Sequence, residues 1–446
     1  MRRPGRPQGA LWSHRDFMKM WTGQSISEFG SQISQLALPW LAAVGLHASA
    51  FEFSLLGVLG FLPFILFALP AGVWVDRLRR RNILIVGDAA RAVLLALIPV
   101  LWATHTLRIW HLLVLQFVVG VFTVFFDVAY QSYLPALIER EDLVDGNSKL
   151  QLTVSVAQVA GPSASGALIA AITAPYAIVA DAISFVVSSV FMLAMRHRED
   201  LPEFDDSNPR PKMWPQVKEG LRWVIGHRWL RWIAACTGTG NLFGSVLFAI
   251  VLLYMTRTLH LSAFEAGFVF AVGSAGAIVG ALVTSRLNRL LGVGPTIVAT
   301  AACFALPGFL YPLAPRSFPL PFLMAAQALL SFGSVTYNIT QVSLRQAITP
   351  ERLQGRMNAA MRWGVWGTIP IGSLAGGAIA TWWGLRTALW VGAIGGTLAL
   401  LPVALTSVRS IREMPEPVQE PTPAQAELEG GMLEPVPLPG PAAADA

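Results

Sequence analysis

Charge is what this sequence has least of. Asp, Glu, Lys and Arg make up 13% of its 446 residues, while 54% are hydrophobic and the mean hydropathy is +0.55. Soluble domains carry about 25% charged residues. One soluble core of this length cannot hide so much apolar surface, so the excess faces lipid. Cysteine is almost absent as well. Cys236 and Cys303 both fall in apolar runs, which argues against a disulfide framework or a cysteine-based zinc site. There is no G-x-x-x-x-G-K-[ST] phosphate loop, so the chain is not an ATPase by itself. Histidines stand at 14, 47, 105, 111, 197, 227 and 260, and no pair has zinc-protease spacing. The expectation is therefore no enzyme, no cofactor and no metal. A leader peptide is not expected either. The first apolar stretch, from Phe17 to about Leu46, lacks a small-residue cleavage site and is long enough to span a bilayer.

What the sequence has in abundance is apolar segments of spanning length. A spanning helix needs roughly 20 mostly apolar residues. Twelve such segments lie near 18–45, 53–75, 83–103, 109–135, 150–172, 175–195, 231–256, 264–285, 295–313, 318–343, 360–383 and 387–407. Short breaks at Thr173–Pro175 and Trp383–Leu385 split two long runs into hairpins. With the N-terminus on the cytoplasmic side, cytoplasmic segments hold 27 Lys and Arg and the outside loops hold Arg108, Arg257, Arg316 and Arg386; Arg91 completes the total of 32. This split follows the positive-inside rule. It also accounts for the pI of 9.7 without a nucleic-acid partner.

The organisation reads as a cytoplasmic N-terminal segment (1–17), a first six-helix bundle (18–198), a cytoplasmic linker (199–230), a second bundle (231–412) and a tail (413–446). Val217, Leu221 and Val224 give the end of the linker an amphipathic helical spacing. The tail has eight prolines, seven acids and no Lys or Arg, a composition expected to be disordered. Shifting Gln131–Leu143 by 210 residues matches Gln131, Leu134, Ile138, Glu141 and Leu143 to Gln341, Leu344, Ile348, Glu351 and Leu353. The fold class is thus an all-α membrane protein, twelve transmembrane helices in two pseudo-symmetric six-helix bundles. Repeated bundles of this kind mark transporters with a substrate site between the repeats.

The sharpest motif follows the second segment: Gly72, Asp76, Arg77, Arg80 and Arg81. A glycine that admits close helix approach, beside an acid among many cations, can lock two helices and release them in another state. These residues match the G-x-x-x-D-R-x-x-R-R signature, so the chain resembles the major facilitator superfamily. Arg286 and Arg289, with Ser285 in place of the acid, look like a degenerate second copy. Further residues are similar to the bacterial drug, macrolide and siderophore exporters of the enterobactin-exporter type. They are Phe17, Trp21 to Ser25, Ala37 to Trp40, Asp88 with Arg91, Gly161 and Pro162, Arg345 to Ala347, and Gly355 to Asn358. The resemblance implies the major facilitator fold and a multi-pass protein of the bacterial plasma membrane with both termini cytoplasmic. It also implies that the first and fourth helices of each half line a central cavity.

Polar stripes agree with that implication. The first segment carries Gln24, Glu28, Gln32 and Gln35 on one helical face; the fourth carries Thr123, Asp127 and Gln131. The seventh has Thr237, Asn241 and Ser245, and the tenth Ser334, Asn338, Gln341 and Arg345. A polar stripe is costly against lipid and belongs against protein or water. Glu28 and Asp127 are the candidate proton carriers, because a carboxylate in a low-dielectric cavity resists ionisation and can take up a proton. Asp88 and Arg91 are expected to pair and to support the Asp76 loop. Asp181, on the sixth segment, is read as structural, and Gly161-Pro162 as a helix bend. Two positions depart from drug–proton antiporters: Gln116 stands where an arginine precedes Gly120, and only Gly161-Pro162-Ser-Ala-Ser165-Gly166 remains of a longer glycine series.

The expected function is a proton-coupled exporter of amphipathic small molecules (drug, macrolide or siderophore), working as a monomer in the bilayer. The alternatives are a proton-coupled uptake symporter for a nutrient, and a non-transporting receptor or scaffold on the same fold.

Overall fold

A computed structural model describes residues 10–75, 78–139, 142–196 and 213–415, and every regular element among them is helical. The first half consists of α1 (Arg15–Trp40), α2 (Ala50–Val75), α3 (Arg80–Ala103), α4 (Ile109–Leu137), α5 (Leu143–Ile172) and α6 (Ala174–Leu193). The linker helix α7 (Met213–Gly226) follows. The second half consists of α8 (Leu230–Arg257), α9 (Ala263–Leu291), α10 (Val293–Ala305) extended by α11 (Leu310–Leu313), α12 (Leu320–Ala347), α13 (Glu351–Met361), α14 (Thr368–Trp383), α15 (Leu385–Leu398) and α16 (Leu401–Ala404). Ten helices among the described residues are long and apolar enough to cross a membrane. Helix α1, with its polar stripe, and α14, with 16 residues, occupy the two further positions of a twelve-span arrangement.

The packing repeats between halves. Helix α1 packs on α5 and α6 as α8 packs on α14 and α15; α2 packs on α4 as α9 packs on α12. The halves meet through α5 against α9 and α2 against α14, which are symmetry mates. Both seams are backbone-close. A side chain on Gly267 would collide with the Pro162 carbonyl, one on Gly166 with the Ala263 carbonyl, and one on Gly377 with Ser54. Small residues at such crossings let helices approach where lipid provides no hydrophobic drive.

A second internal repeat is sharper than the one at the basic loops. A shift of 213 residues (260 − 47) carries His47-Ala-Ser-Ala-Phe-Glu52 onto His260-Leu-Ser-Ala-Phe-Glu265. Both copies build the same helix start. In each, the glutamate accepts from the serine N–H at 2.8 Å, and the serine Oγ accepts from the glutamate N–H at 3.2 and 3.3 Å. These reciprocal capping boxes satisfy donors that a helix start leaves open. Both histidines hold positive φ, 52° and 55°.

Helix α5 begins at Leu143 rather than near 150, and α9 runs to Leu291 rather than 285. The apolar window marks only the bilayer slab, whereas the helices continue beyond it as polar turns. Lys149 and Asp145, 2.5 Å apart at i,i+4 spacing, stabilise one such turn. The linker helix α7 is fixed to the second half. Gly220 lies directly on the Arg356 carbonyl, Glu219 pairs with Arg356, and Trp223 Nε1 donates to Thr349 Oγ1 at 3.4 Å. The rest of the linker from 197 to 212, and the tail from 416, lie outside the described residues.

Both hairpin splits are single-residue corners, and they share one backbone geometry. Thr173 has φ 69° and ψ 157°, and Gly384 has φ 89° and ψ 158°. This region suits glycine alone and costs other residues on the order of 1–3 kcal/mol. A Cβ on Gly384 would meet no atom within 4 Å, so only backbone strain is at stake there. Thr173→Gly is therefore expected to raise the thermal stability of the purified protein by about 1 kcal/mol, and Gly384→Thr to lower it by a similar amount. Melting curves in detergent test both; an unchanged Gly384→Thr melt would contradict the strain at this corner.

Candidate functional site

Between the halves lies a cavity of about 1030 Å³. That is at the upper end for drug-sized ligand sites, roughly 300–1,000 Å³. Its two walls differ. The first half contributes every ionisable lining residue: Glu28 from α1, Arg91 from α3 and Asp181 from α6. The second half contributes neutral groups, among them Phe248, Phe270, Ser274, Gln327 and Ser331.

Three residues of the α1 stripe, Glu28, Gln32 and Gln35, line the cavity. Gln32 is buried because Gly161 of α5 lies against its side chain. Pro162 lines the cavity within a continuous α5, where Ser165 Oγ donates to the Gly161 carbonyl at 2.7 Å. Asp127 is half-buried on α4, outside the lining, and within electrostatic reach of both Arg91 and Glu28. Thr123, one turn earlier, does line the cavity.

Asp88 and Arg91 form the expected pair, with Arg91 Nη2 donating to Asp88 Oδ1 at 2.5 Å. Both are buried. The Arg91 guanidinium also sits 4.2 Å from the ring centroids of Phe126 and Phe185. Rings of α4 and α6 thus clamp a cation held by α3. Asp76 and Arg77 lie outside the described residues. Of the same motif, Arg81 donates from Nε and Nη2 to the Met192 and Leu193 carbonyls at 3.1 and 2.8 Å, capping α6 within its own half. Arg80 opens α3. A Cβ on Gly72 would meet nothing within 4 Å, so among the described residues no helix approaches it closely in this conformation.

The other stripe residues sit elsewhere. Gln131 is exposed, and Gln24 stands outside the lining. Asn241 donates to the Val365 carbonyl at 3.2 Å, leaving Ser245 as the only lining residue of the α8 stripe. On α12, Gln341 Nε2 donates to Asn338 Oδ1 at 2.9 Å. Arg345 donates to Gln341 Oε1 at 3.1 Å and to Asn358 Oδ1 at 2.9 Å. That polarity ties α12 to α13, and the cavity face of α12 is the row Gln327, Ser331 and Val335 instead. Asp181, read as structural, lines the cavity wall. Gly30 of α1 lets Asp181 and Ser184 of α6 approach its backbone, and Ser184 Oγ donates to Asp181 Oδ1 at 3.1 Å. The helical spacing of Ala177, Asp181, Ser184 and Ser188, small or polar residues in an apolar helix, marks the face that meets Gly23 and Gly30 of α1.

The cavity is sealed at one end. Away from the basic loops, both halves share one continuous buried core, with Leu41, Phe53, Leu56, Ile250, Leu253 and Leu323 among its members. At the basic end each half has its own separate core. Across the sealed end, Arg257 of α8 donates to the carbonyls of Ala43 and Ala48 in the first half, at 3.2 and 2.6 Å.

Removing one partner of a buried ion pair leaves an uncompensated charge and costs about 3–5 kcal/mol, whereas an apolar replacement of both is far better tolerated. Asp88→Asn should therefore strongly lower the melting temperature, and Asp88→Leu with Arg91→Met should recover most of the loss. Equal melting of the single and double variants would refute the pairing.

A family model described as transmembrane secretion effector matches residues 9–429. The multidrug efflux pump Tap of Mycolicibacterium fortuitum is 26% identical over 399 residues, covering 86% of this chain and 93% of that protein. Macrolide efflux protein A of Streptococcus pyogenes is 24% identical over 346 residues, covering 76% and 82%. A bacterial homologue of the iron transporter ferroportin, solved in an inward-facing state, superposes with a TM-score of 0.66 at 14% identity, covering 88% of this chain and 98% of that one. Fold, internal repeat and central cavity agree with this match: the chain belongs to the transmembrane secretion effector family, within the major facilitator superfamily of membrane transporters.

Proposed function

We propose that this transporter is a proton-driven exporter of amphipathic small molecules. The observation that carries the reading is the asymmetry of the cavity, with Glu28, Arg91 and Asp181 on one wall and a neutral aromatic and amide wall opposite. Such a site accepts a large, mainly apolar compound with a polar or charged end. The efflux proteins similar to this chain support the direction of transport.

In this reading the basic end faces the cytoplasm, both termini lie there, and the structure is the inward-open state in a bacterial plasma membrane. The two six-helix units, 18–198 and 231–412, rock about the glycine seams of α5–α9 and α2–α14. A carboxylate whose surroundings change as the halves move changes its hold on a proton, and that couples the two fluxes. Glu28 holds this role at the cavity wall. Asp127 is its partner through their mutual field. The loop from Gly72 to Arg81 acts as the switch between states, and one chain is a complete carrier.

Reconstituted vesicles with an acidic lumen test this reading when challenged with dyes, macrolides, siderophores and nutrients. A compound that accumulates while protons leave is expected. Glu28→Gln should lower proton-coupled accumulation at least tenfold and preserve downhill exchange, and Asp127→Asn should lower it less. Full-rate coupled transport by Glu28→Gln would remove it from the mechanism.

A further inference from the structure

The internal repeat exposes one break in symmetry at the sealed end. The 213-residue shift that superposes the two His-x-Ser-Ala-Phe-Glu corners places Arg257 on Val44, Thr256 on Ala43 and Leu261 on Ala48. The second half thus carries a cation where the first carries an aliphatic side chain. That cation reaches across to the first half and takes the carbonyls of Ala43 and Ala48, on either side of the corner between α1 and α2. Ala43 lies in the π-helical turn Leu41–Gly45 that continues α1, and the C-terminal end of a helix is electronegative. Among the described residues Arg257 has no carboxylate partner, and Glu52 and Glu265 each accept from their own capping serine. The cross-half hold of Arg257 is therefore on neutral acceptors.

We propose that Arg257 is the latch of this gate, the residue whose release allows the sealed end to open. The inference deepens the alternating-access reading. A guanidinium on two carbonyls makes two directional bonds without a countercharge. Opening then separates a charge from dipoles rather than from another ion, and water solvates the freed guanidinium. The apolar core beneath, from Leu41 to Leu253, excludes water while the latch is closed. Both bonds leave the same guanidinium nitrogen, Nη2, so the latch depends on where the arginine stem places that one atom.

The test uses the whole protein in right-side-out vesicles, with Cys236→Ala and Cys303→Ser. A Ser54→Cys probe lies on the cavity wall beneath the gate, where Ser54 is buried against Gly377. A membrane-impermeant maleimide is added from the Arg257 face. Arg257→Ala should raise the labelling rate at least fivefold, with Arg257→Lys intermediate. An Arg257→Ala rate equal to that of the parent, in protein with unchanged melting, overturns the proposal. Should Arg257→Ala fail to fold, Arg257→Gln is read in the same assay with the same two outcomes. Labelling reads the gate without substrate, so a failed transport reading and a failed latch are told apart.

Discussion

A bilayer offers no water to its polar occupants, and this constraint governs the structure. Each backbone group and hydroxyl in a span must find its partner inside the protein. Many hydroxyls turn back on their own helix: Thr123 on Val119, Thr237 on Ile233, Thr284 on Gly280 and Thr381 on Gly377. The charged groups that cannot do so gather on inner faces of the first half. Arg91, Asp88, Asp127, Asp181 and Glu28 form one neighbourhood, held by the ring clamp of Phe126 and Phe185.

The same constraint shapes how the halves touch. Lipid is as apolar as leucine, so sequestering leucine between halves brings little. Cohesion comes from close packing at glycines and from the few polar bonds that bridge the seam. Gly166, Gly267 and Gly377 supply the first, and Arg257 the second. Such a seam has few strong interactions to break when its geometry changes, as a moving interface requires.

Much of this was legible in the chain. Hydropathy located the spans and both hairpin corners, because a corner of one residue interrupts an apolar run at Thr173 or Gly384. Three residues of the α1 stripe, Glu28, Gln32 and Gln35, line the cavity, and Gln24 does not. The α12 stripe misled, since polarity at Asn338, Gln341 and Arg345 serves a tie to Asn358, and periodicity does not distinguish a cavity from a neighbouring helix. Arg91 acquires its place from tertiary contacts with Phe126 and Phe185, which no local pattern encodes, whereas the row Asp181, Ser184 and Ser188 was readable on α6. The sharper repeat at His47 and His260 was readable but sits in the short corners away from the basic loops, where composition draws little attention.

The unequal cavity walls have an evolutionary consequence. Ionisable groups come from one half and neutral shape-determining groups from the other. In the proposed reading, two properties of a ligand, its charge and its contour, are thereby met by the two six-helix blocks of one chain. Drift in the second block would reshape what fits without disturbing the ionisable wall. A carrier built this way would broaden its range of compounds by accumulating changes in one half while the other stays under constraint.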